Sequence, residues 1–256
     1  MGEKVNSTDF YFDGVASTSK DILLVKTENG LYKRHYLPER EIISEQIINN
    51  DIPYIYGVKN NPLRLSLTFT LDEGVKWSVA KRSEIARWFD NGKYNEFYTT
   101  DEPTRRYFLM YEGTSEFYDN GDNDGYIVVN FINISPYTYS DLFTLDFTST
   151  GTLSFVFTNS GDTVIVPEEI RITKSGTSSF EIVNVSNSNL SFKFDELINN
   201  EVVTVYPKTR HITTTSNFNR YIGFSGDYLN FIIGINNINV IGNAAVQIKY
   251  RFEYKG

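Results

Sequence analysis

The chain contains no cysteine and only two tryptophans, two histidines and two methionines among its 256 residues. Without cysteine there is no disulfide framework, no thiolate metal site and no thiol redox chemistry, so the fold must be held by packing or by assembly with other chains. The histidines, His35 and His211, have no other ligand-type residue at a typical metal spacing. Cations are also short. There are 24 Lys and Arg against 32 Asp and Glu, a formal charge of −8, whereas duplex recognition needs clustered Lys and Arg that displace counterions. No window approaches the ~20 apolar residues of a spanning helix. The polar opening Met1–Ser7 lacks the apolar core of a signal peptide, which sets the expectation of no membrane insertion and of a chain made and folded in a cytosol.

The chain is rich in Phe and Tyr, which dominate a 15% aromatic content. With many Thr, Val, Ile and Asn and few Ala- or Leu-rich stretches, this is the composition of sheets and turns. The predicted fold is mainly β. At 256 residues the chain exceeds the usual single domain, and two domains are expected, residues 1–141 and 142–256, with the boundary near Asp141 after the turn Ser135-Pro136-Tyr137-Thr138-Tyr139-Ser140.

One amphipathic helix stands out, expected over residues 77–90. Val75, Trp77, Val79, Ala80, Ile85, Trp88 and Phe89 fall near 3.6-residue spacing, Lys81, Arg82, Glu84 and Arg87 take the other face, and Asn91-Gly92 supplies a C-cap. Around it Leu63, Leu65, Leu67, Phe69 and Leu71 alternate at period two, as do the segments 107–111 and 127–134. In the second half, strands are expected at 153–157, 164–172, 179–185, 190–194, 202–206, 228–233 and 245–254, with Pro167 and Pro207 at strand ends. Short strands between Asn- and Gly-rich turns point to a β-sandwich or jelly roll.

Several groupings bear on chemistry. Asn120-x-Asp122-x-Asp124-Gly125 reproduces the first half of a calcium loop, but its twelfth position is Phe131 and its flanks read as strands, so a solvated hairpin loop is expected. Gly223-Phe224-Ser225-Gly226-Asp227 has the wrong glycine spacing for a nucleophile elbow and reads as a loop. Glu168-Glu169 and Asp195-Glu196 are neighbours on strands and point to opposite faces, so neither pair can clamp a glycosidic bond. Tyr206, Phe218, Tyr221 and Tyr228 are core material on one reading and a sugar-stacking platform on the other. No catalytic, cofactor or metal residue is assigned, and an enzyme is not expected.

Ordered motifs carry a resemblance over nearly the whole chain. Phe10-Tyr11-Phe12-Asp13-Gly14, Asp21-Ile22 and Leu37-Pro38-Glu39-Arg40-Glu41 come first. Pro53-Tyr54-Ile55-Tyr56-Gly57-Val58, Pro62-Leu63, the 77–89 helix and Pro136-Tyr137-x-Tyr139 follow. Phe157-Thr158-Asn159-x-Gly161, Pro167, Ile170 and Ile172 precede Gly234-Ile235-Asn236-Asn237-Ile238, read as a turn, and a closing strand through Tyr250 and Phe252. In this order they resemble the distal tail proteins of tailed bacteriophages, with Ile48-Asn49-Asn50-Asp51 in place of the family's Gly-rich turn.

The resemblance implies an architectural protein of the virion's tail tip, assembled in the bacterial host cytoplasm. Its first domain, a β-sandwich-like unit with the helix, would form a homohexameric baseplate hub ring; its second would be a galectin-like β-sandwich facing outward. The implied partners are other copies of the chain, the tail tube protein, the tail-associated hub or lysin protein, and receptor-binding or fibre proteins. DNA would pass through the channel without specific binding, along an acidic lining that does not hold a polyanion. The alternative is a carbohydrate-binding β-sandwich protein acting in host-surface attachment through Tyr206, Tyr221 or Tyr228.

Overall fold

The computed structural model describes residues 7–25 and 37–255. The chain is mainly β and divides into two compact units, Met1–Tyr139 with Lys255–Gly256, and Ser140–Tyr254. Among the described residues no helix is long and apolar enough to cross a membrane.

In the first unit the strands are β1 (Ser7–Thr8), β2 (Phe10–Phe12), β3 (Val15–Ala16), β4 (Ile22–Val25), β5 (Arg40–Glu45), β6 (Tyr54–Asn60), β7 (Arg64–Leu71), β8 (Asn95–Thr99), β9 (Tyr107–Asp119), β10 (Gly125–Asn133) and β11 (Thr138–Tyr139). Eight of them form one antiparallel sheet in the order β1-β4-β7-β10-β9-β8-β2-β3. The alternation on β7 buries Leu65, Phe69 and Leu71, and its register sets Leu65 opposite Phe131 and Phe69 opposite Ile127. Asp13 and Gly14 both have positive φ, 53° and 71°, the requirement of the tight turn that joins β2 to β3.

The helix α1 (Val79–Phe89) packs on this sheet. It begins later than its periodicity predicts, because the Ser78 hydroxyl accepts the Lys81 N–H at 3.2 Å as N-cap. Trp77 precedes the helix, where its backbone N–H donates to Asn123 and its indole N–H to the Gly125 carbonyl. The C-cap is Asp90 in place of Asn91-Gly92. Val79 is 71% exposed and Ala80 is exposed too, so the buried stripe is narrower than expected, formed by Ile85 and Phe89 with Trp88 half-buried. Phe89 meets Phe12, Phe69 and Phe131 at centroid distances of 5.3, 4.9 and 5.6 Å, contacts each worth about 0.5–1.5 kcal/mol beyond burial. On the opposite side Glu84 joins Lys20 at 2.8 Å and Lys81 at 3.3 Å, a network that includes Asp21 and ties the helix to the 3₁₀ turn Ser17–Lys20.

The second unit is built on a pair of 17-residue antiparallel strands, β12 (Phe143–Asn159) and β19 (Gly234–Tyr250). The others are β13 (Glu169–Lys174), β14 (Ser178–Asn184), β15 (Leu190–Leu197), β16 (Val202–Tyr206), β17 (His211–Thr214), β18 (Phe224–Gly226) and β20 (Glu253–Tyr254). Residues 244–249 of β19 pair with β13, which continues through β16 to β17, while residues 238–241 pair with β14, which continues through β15 to β18. The two halves close over a core that includes Phe180, Phe192, Phe194, Phe231, Val240 and Ile248.

The long pair departs from the expected pattern at both ends. Residues 143–152 lie before the first strand expected in this half, yet they alternate half-buried Leu145 and Phe147 with exposed neighbours as one strand. The segment 234–238, expected to turn, opens β19 instead, with Gly234 alone in positive φ. Residues 164–168 and 228–233 are not strands, and only Ile165 and Phe231 bridge them. Residues 224–226, expected as a loop, form an edge strand against β15. Pro167 and Pro207 do flank β13 and β16, where a missing N–H costs nothing.

Buried asparagines replace ladder bonds where strands end. Asn236 accepts from the Ile232 N–H and the Asn184 amide, and donates to the Ile232 and Gly234 carbonyls, all at 2.8–3.0 Å. Asn159 accepts from the Gly161 N–H and donates to Thr163 and Phe231 carbonyls. These bonds are the physical content of the Phe-x-Asn-x-Gly and Gly-x-Asn motifs.

Candidate assembly surface

The hairpin β5–β6 is the feature of the first unit that its own fold leaves unfinished. Among the described residues its strands pair only with each other, Ile42 opposite Val58 and Ile43 opposite Gly57, with a bulge after Ile43. Ile42, Ile43, Tyr54, Ile55, Tyr56 and Val58 are each at least half exposed, and Ile48 at the tip is 88% exposed. Side chains alternate between faces along a strand, so Tyr54 and Tyr56 lie on one face of β6 and Ile55 on the other. Both faces are therefore apolar. A lone two-stranded hairpin is marginal in water, and an apolar patch of this size marks a surface meant for covering. The tip is shaped by Asn49 at φ 69° and by Asn50, whose carboxamide oxygen accepts the Ile52 N–H. Ile48–Asp51 thus makes the turn without glycine.

A second feature of the same unit is a cavity of about 280 Å³ between α1 and the β9–β10 hairpin, lined chiefly by Trp77, Ile85, Phe89, Phe117, Ile127 and Val129. The Arg82 guanidinium lies 5.1 Å from the Phe117 ring centre at its rim.

The half calcium loop is the β9–β10 hairpin turn. Asn120 Oδ1 accepts the N–H groups of Asp122 and Asp124, Asp119 accepts that of Gly121, and Asp124 is paired with Lys76. Of the oxygens that would face an ion, that of Asn120 serves the turn and those of Asp124 hold Lys76. Among the described residues no cluster of three or more His, Asp or Glu side chains has metal-holding geometry. His35 lies outside the described residues, and His211 Nδ1 is 3.2 Å from the Tyr221 hydroxyl.

The remaining groupings separate. Glu168 pairs with Arg251 and Glu169 with Lys249 at 3.0 Å, while Asp195 pairs with Lys193. Of the four aromatics, Tyr228 packs against the core and donates to the Arg210 carbonyl. Tyr221, 48% exposed, spends its hydroxyl on the Ile212 N–H, and Phe218, 60% exposed, has Arg220 over one face. Tyr206 stacks on His211, which also meets the Tyr221 hydroxyl. Sequence reasoning missed what holds this region: Arg220 grips buried Glu201 through Nε at 2.6 Å and also donates to the Glu196 carbonyl. The two residues lie 19 positions apart, on either side of the β16–β17 hairpin, and belong to no recognisable motif.

The described residues thus form a two-unit β protein with an exposed apolar hairpin that no third strand extends. Residues 5–135 match the family model of a phage tail protein N-terminal domain, and residues 136–250 that of a phage tail C-terminal domain. The chain belongs to this family of phage tail proteins. The SPbeta prophage-derived uncharacterized protein YomH of Bacillus subtilis (strain 168) is 25% identical over 249 residues, 96% of this chain and 97% of that protein. The fold of the present chain is similar to that of the SPP1 Dit (gp 19.1) protein, described as a paradigm of the hub adsorption apparatus in phages infecting Gram-positive bacteria. That crystal structure matches with a TM-score of 0.71 at 17% identity, covering 95% of this chain and 98% of the other. The resemblance read from the ordered motifs is borne out in family and fold.

Proposed function

We propose that this tail protein is a distal tail hub that closes into a homohexameric ring at the tail tip, between the tail tube and the adsorption apparatus. Its role is architectural and it catalyses nothing. The observation that carries the ring is the β5–β6 hairpin, apolar on both faces and extended by no third strand among the described residues. A contact between this arm and a different surface of the next copy is heterologous, and a heterologous contact whose rotation closes makes a ring. The apolar cavity beside α1 is one such surface. In this reading the second unit is a galectin-like sandwich that faces outward and receives receptor-binding or fibre proteins. The tail-associated hub or lysin protein docks on the ring, and DNA crosses its channel unheld, past an acidic lining. The chain is a virion component assembled in the host cytoplasm.

The test is light scattering with electron-microscope class averages of the purified chain at micromolar concentration. A six-membered ring with a central hole is expected from the native chain, and its loss from the pair Ile48→Asp and Ile55→Asp. Rings that persist in that variant overturn the role of the arm. A native monomer that never closes and binds glycans overturns the hub reading.

A further inference from the structure

The second unit has an open edge of its own. Among the described residues β12 pairs with β19 along its whole length and with nothing on the other side, leaving the backbone donors and acceptors of alternate residues along a 17-residue strand available. Natural edges of this length are blunted by Lys, Pro or inward charges. This one carries a single charge, Asp146, and no proline. Its core-facing Leu145, Phe147, Leu153 and Phe155 are only partly buried, so the sandwich interior extends to the rim. Its outward row, from Thr144 to Thr158, is exposed.

The polarity of β12 is close to a palindrome about Gly151, its central residue. Laid antiparallel against a copy of itself with Gly151 opposite Gly151, the strand sets Phe147 against Phe155 and Leu145 against Phe157 on the core side. Thr144 then meets Thr158, Thr148 meets Ser154, and Thr150 meets Thr152 on the outer side. Asp146 meets Val156, so no like charges are opposed. The strand also folds sharply at its centre, since the Phe147 and Phe155 rings of one chain are 5.0 Å apart. A two-fold axis through that bend exchanges the two legs of the strand, so both copies bend together. A straight strand from another protein would leave one leg unpaired.

We propose that the β12 edge is an isologous interface for a second copy of this chain, pairing strand to strand about a two-fold axis at Gly151. The contact is independent of the ring reading, because it uses the other compact unit. Where rings form, it joins copies of two rings or pairs neighbours within one.

The experiment uses the full chain carrying Ile48→Asp and Ile55→Asp, which removes the proposed arm contact, in analytical ultracentrifugation across the micromolar range. A dimer is expected. Val156→Asp, at an exposed site that leaves the thermal midpoint unchanged, faces two carboxylates at each of the two symmetric contacts and weakens the dimer by roughly tenfold or more. Val156→Lys sets an ammonium opposite Asp146 and tightens it. A monomer with native β12, or equal weakening by Val156→Asp and Val156→Lys, overturns the proposal. Neither result bears on the hexamer, which is read on the chain with its arm intact.

Discussion

Gly151 and Gly242 stand directly opposite each other in the β12–β19 pair, both at positive φ, 121° and 106°. They are the corner at which two long strands pass from one layer of the sandwich to the other. The sites differ in surroundings: a Cβ on Gly151 meets nothing within 4 Å, whereas one on Gly242 falls 2.6 Å from the Ser179 carbonyl oxygen. Gly151→Ala is expected to cost about 1–3 kcal/mol through backbone strain alone. Gly242→Ala adds a clash with backbone and should cost clearly more. Urea unfolding of both variants, compared at equal m-value, checks the order.

The Glu201 carboxyl is held at about 2 in the folded chain, against an ordinary 4.5. Burial by itself raises it, but the bonds from Arg220, Thr214, the Ile198 N–H and Ser216 together outweigh that effect. A depressed folded pKa contributes stability that is complete above the unfolded value and disappears as pH falls through the folded one. The window is therefore pH 4.5 down to 2, over which roughly 3 kcal/mol is lost. Glu201→Gln should be less stable at neutral pH, because it leaves Arg220 buried without its charge partner. It should also lack this site's pH dependence across the window, as followed by thermal unfolding at stepped pH.

Asn133 is fully buried and ends β10 with three bonds: it accepts the Phe108 N–H at 2.8 Å and donates to the Ser135 and Tyr137 carbonyls at 2.9 and 2.8 Å. Asn133→Ala orphans the Phe108 N–H and takes one of two donors from each of the Ser135 and Tyr137 carbonyls, so it should destabilise the first unit by about 1–3 kcal/mol. Asn133→Asp keeps the acceptor and aims a second oxygen at two carbonyls, so it should recover stability on acidification where the alanine variant does not. Chemical unfolding at neutral and acid pH separates them.

Gly125 has an ordinary φ, yet a Cβ there would lie 1.8 Å from the Tyr118 carbonyl oxygen. Its own carbonyl accepts from the Trp77 indole and the Thr70 hydroxyl. Gly125→Ala must displace the β9 backbone and should release Trp77. Expected readouts are a red-shifted tryptophan emission and a loss of several degrees in Tm.

These glycines and asparagines show what could be read in the chain beforehand. Strands such as 64–71 and 202–206 were legible because a buried face imposes strict alternation. The long pair was legible only from Leu153 onward, because Asp146, Thr148, Ser149 and Thr150 break the apolar pattern and pairing with β19 across the chain holds them in the strand. The same holds for 234–238, whose Gly and Asn residues end one ladder and begin another. Helix periodicity located α1 but overran its start, since Trp77 obeys the spacing while serving the β9–β10 turn. The apolar arm was visible only as motif residues. That its apolar side chains stand exposed is a property of the tertiary structure.

The β5–β6 arm makes the newly folded chain a sticky colloid. Its formal charge of −8 is then a timing device as well as a compositional fact: like-charged copies repel at distances beyond contact and meet arm-first less often. Because that repulsion is screened over about 8 Å at physiological salt, ionic strength sets how long a copy remains alone.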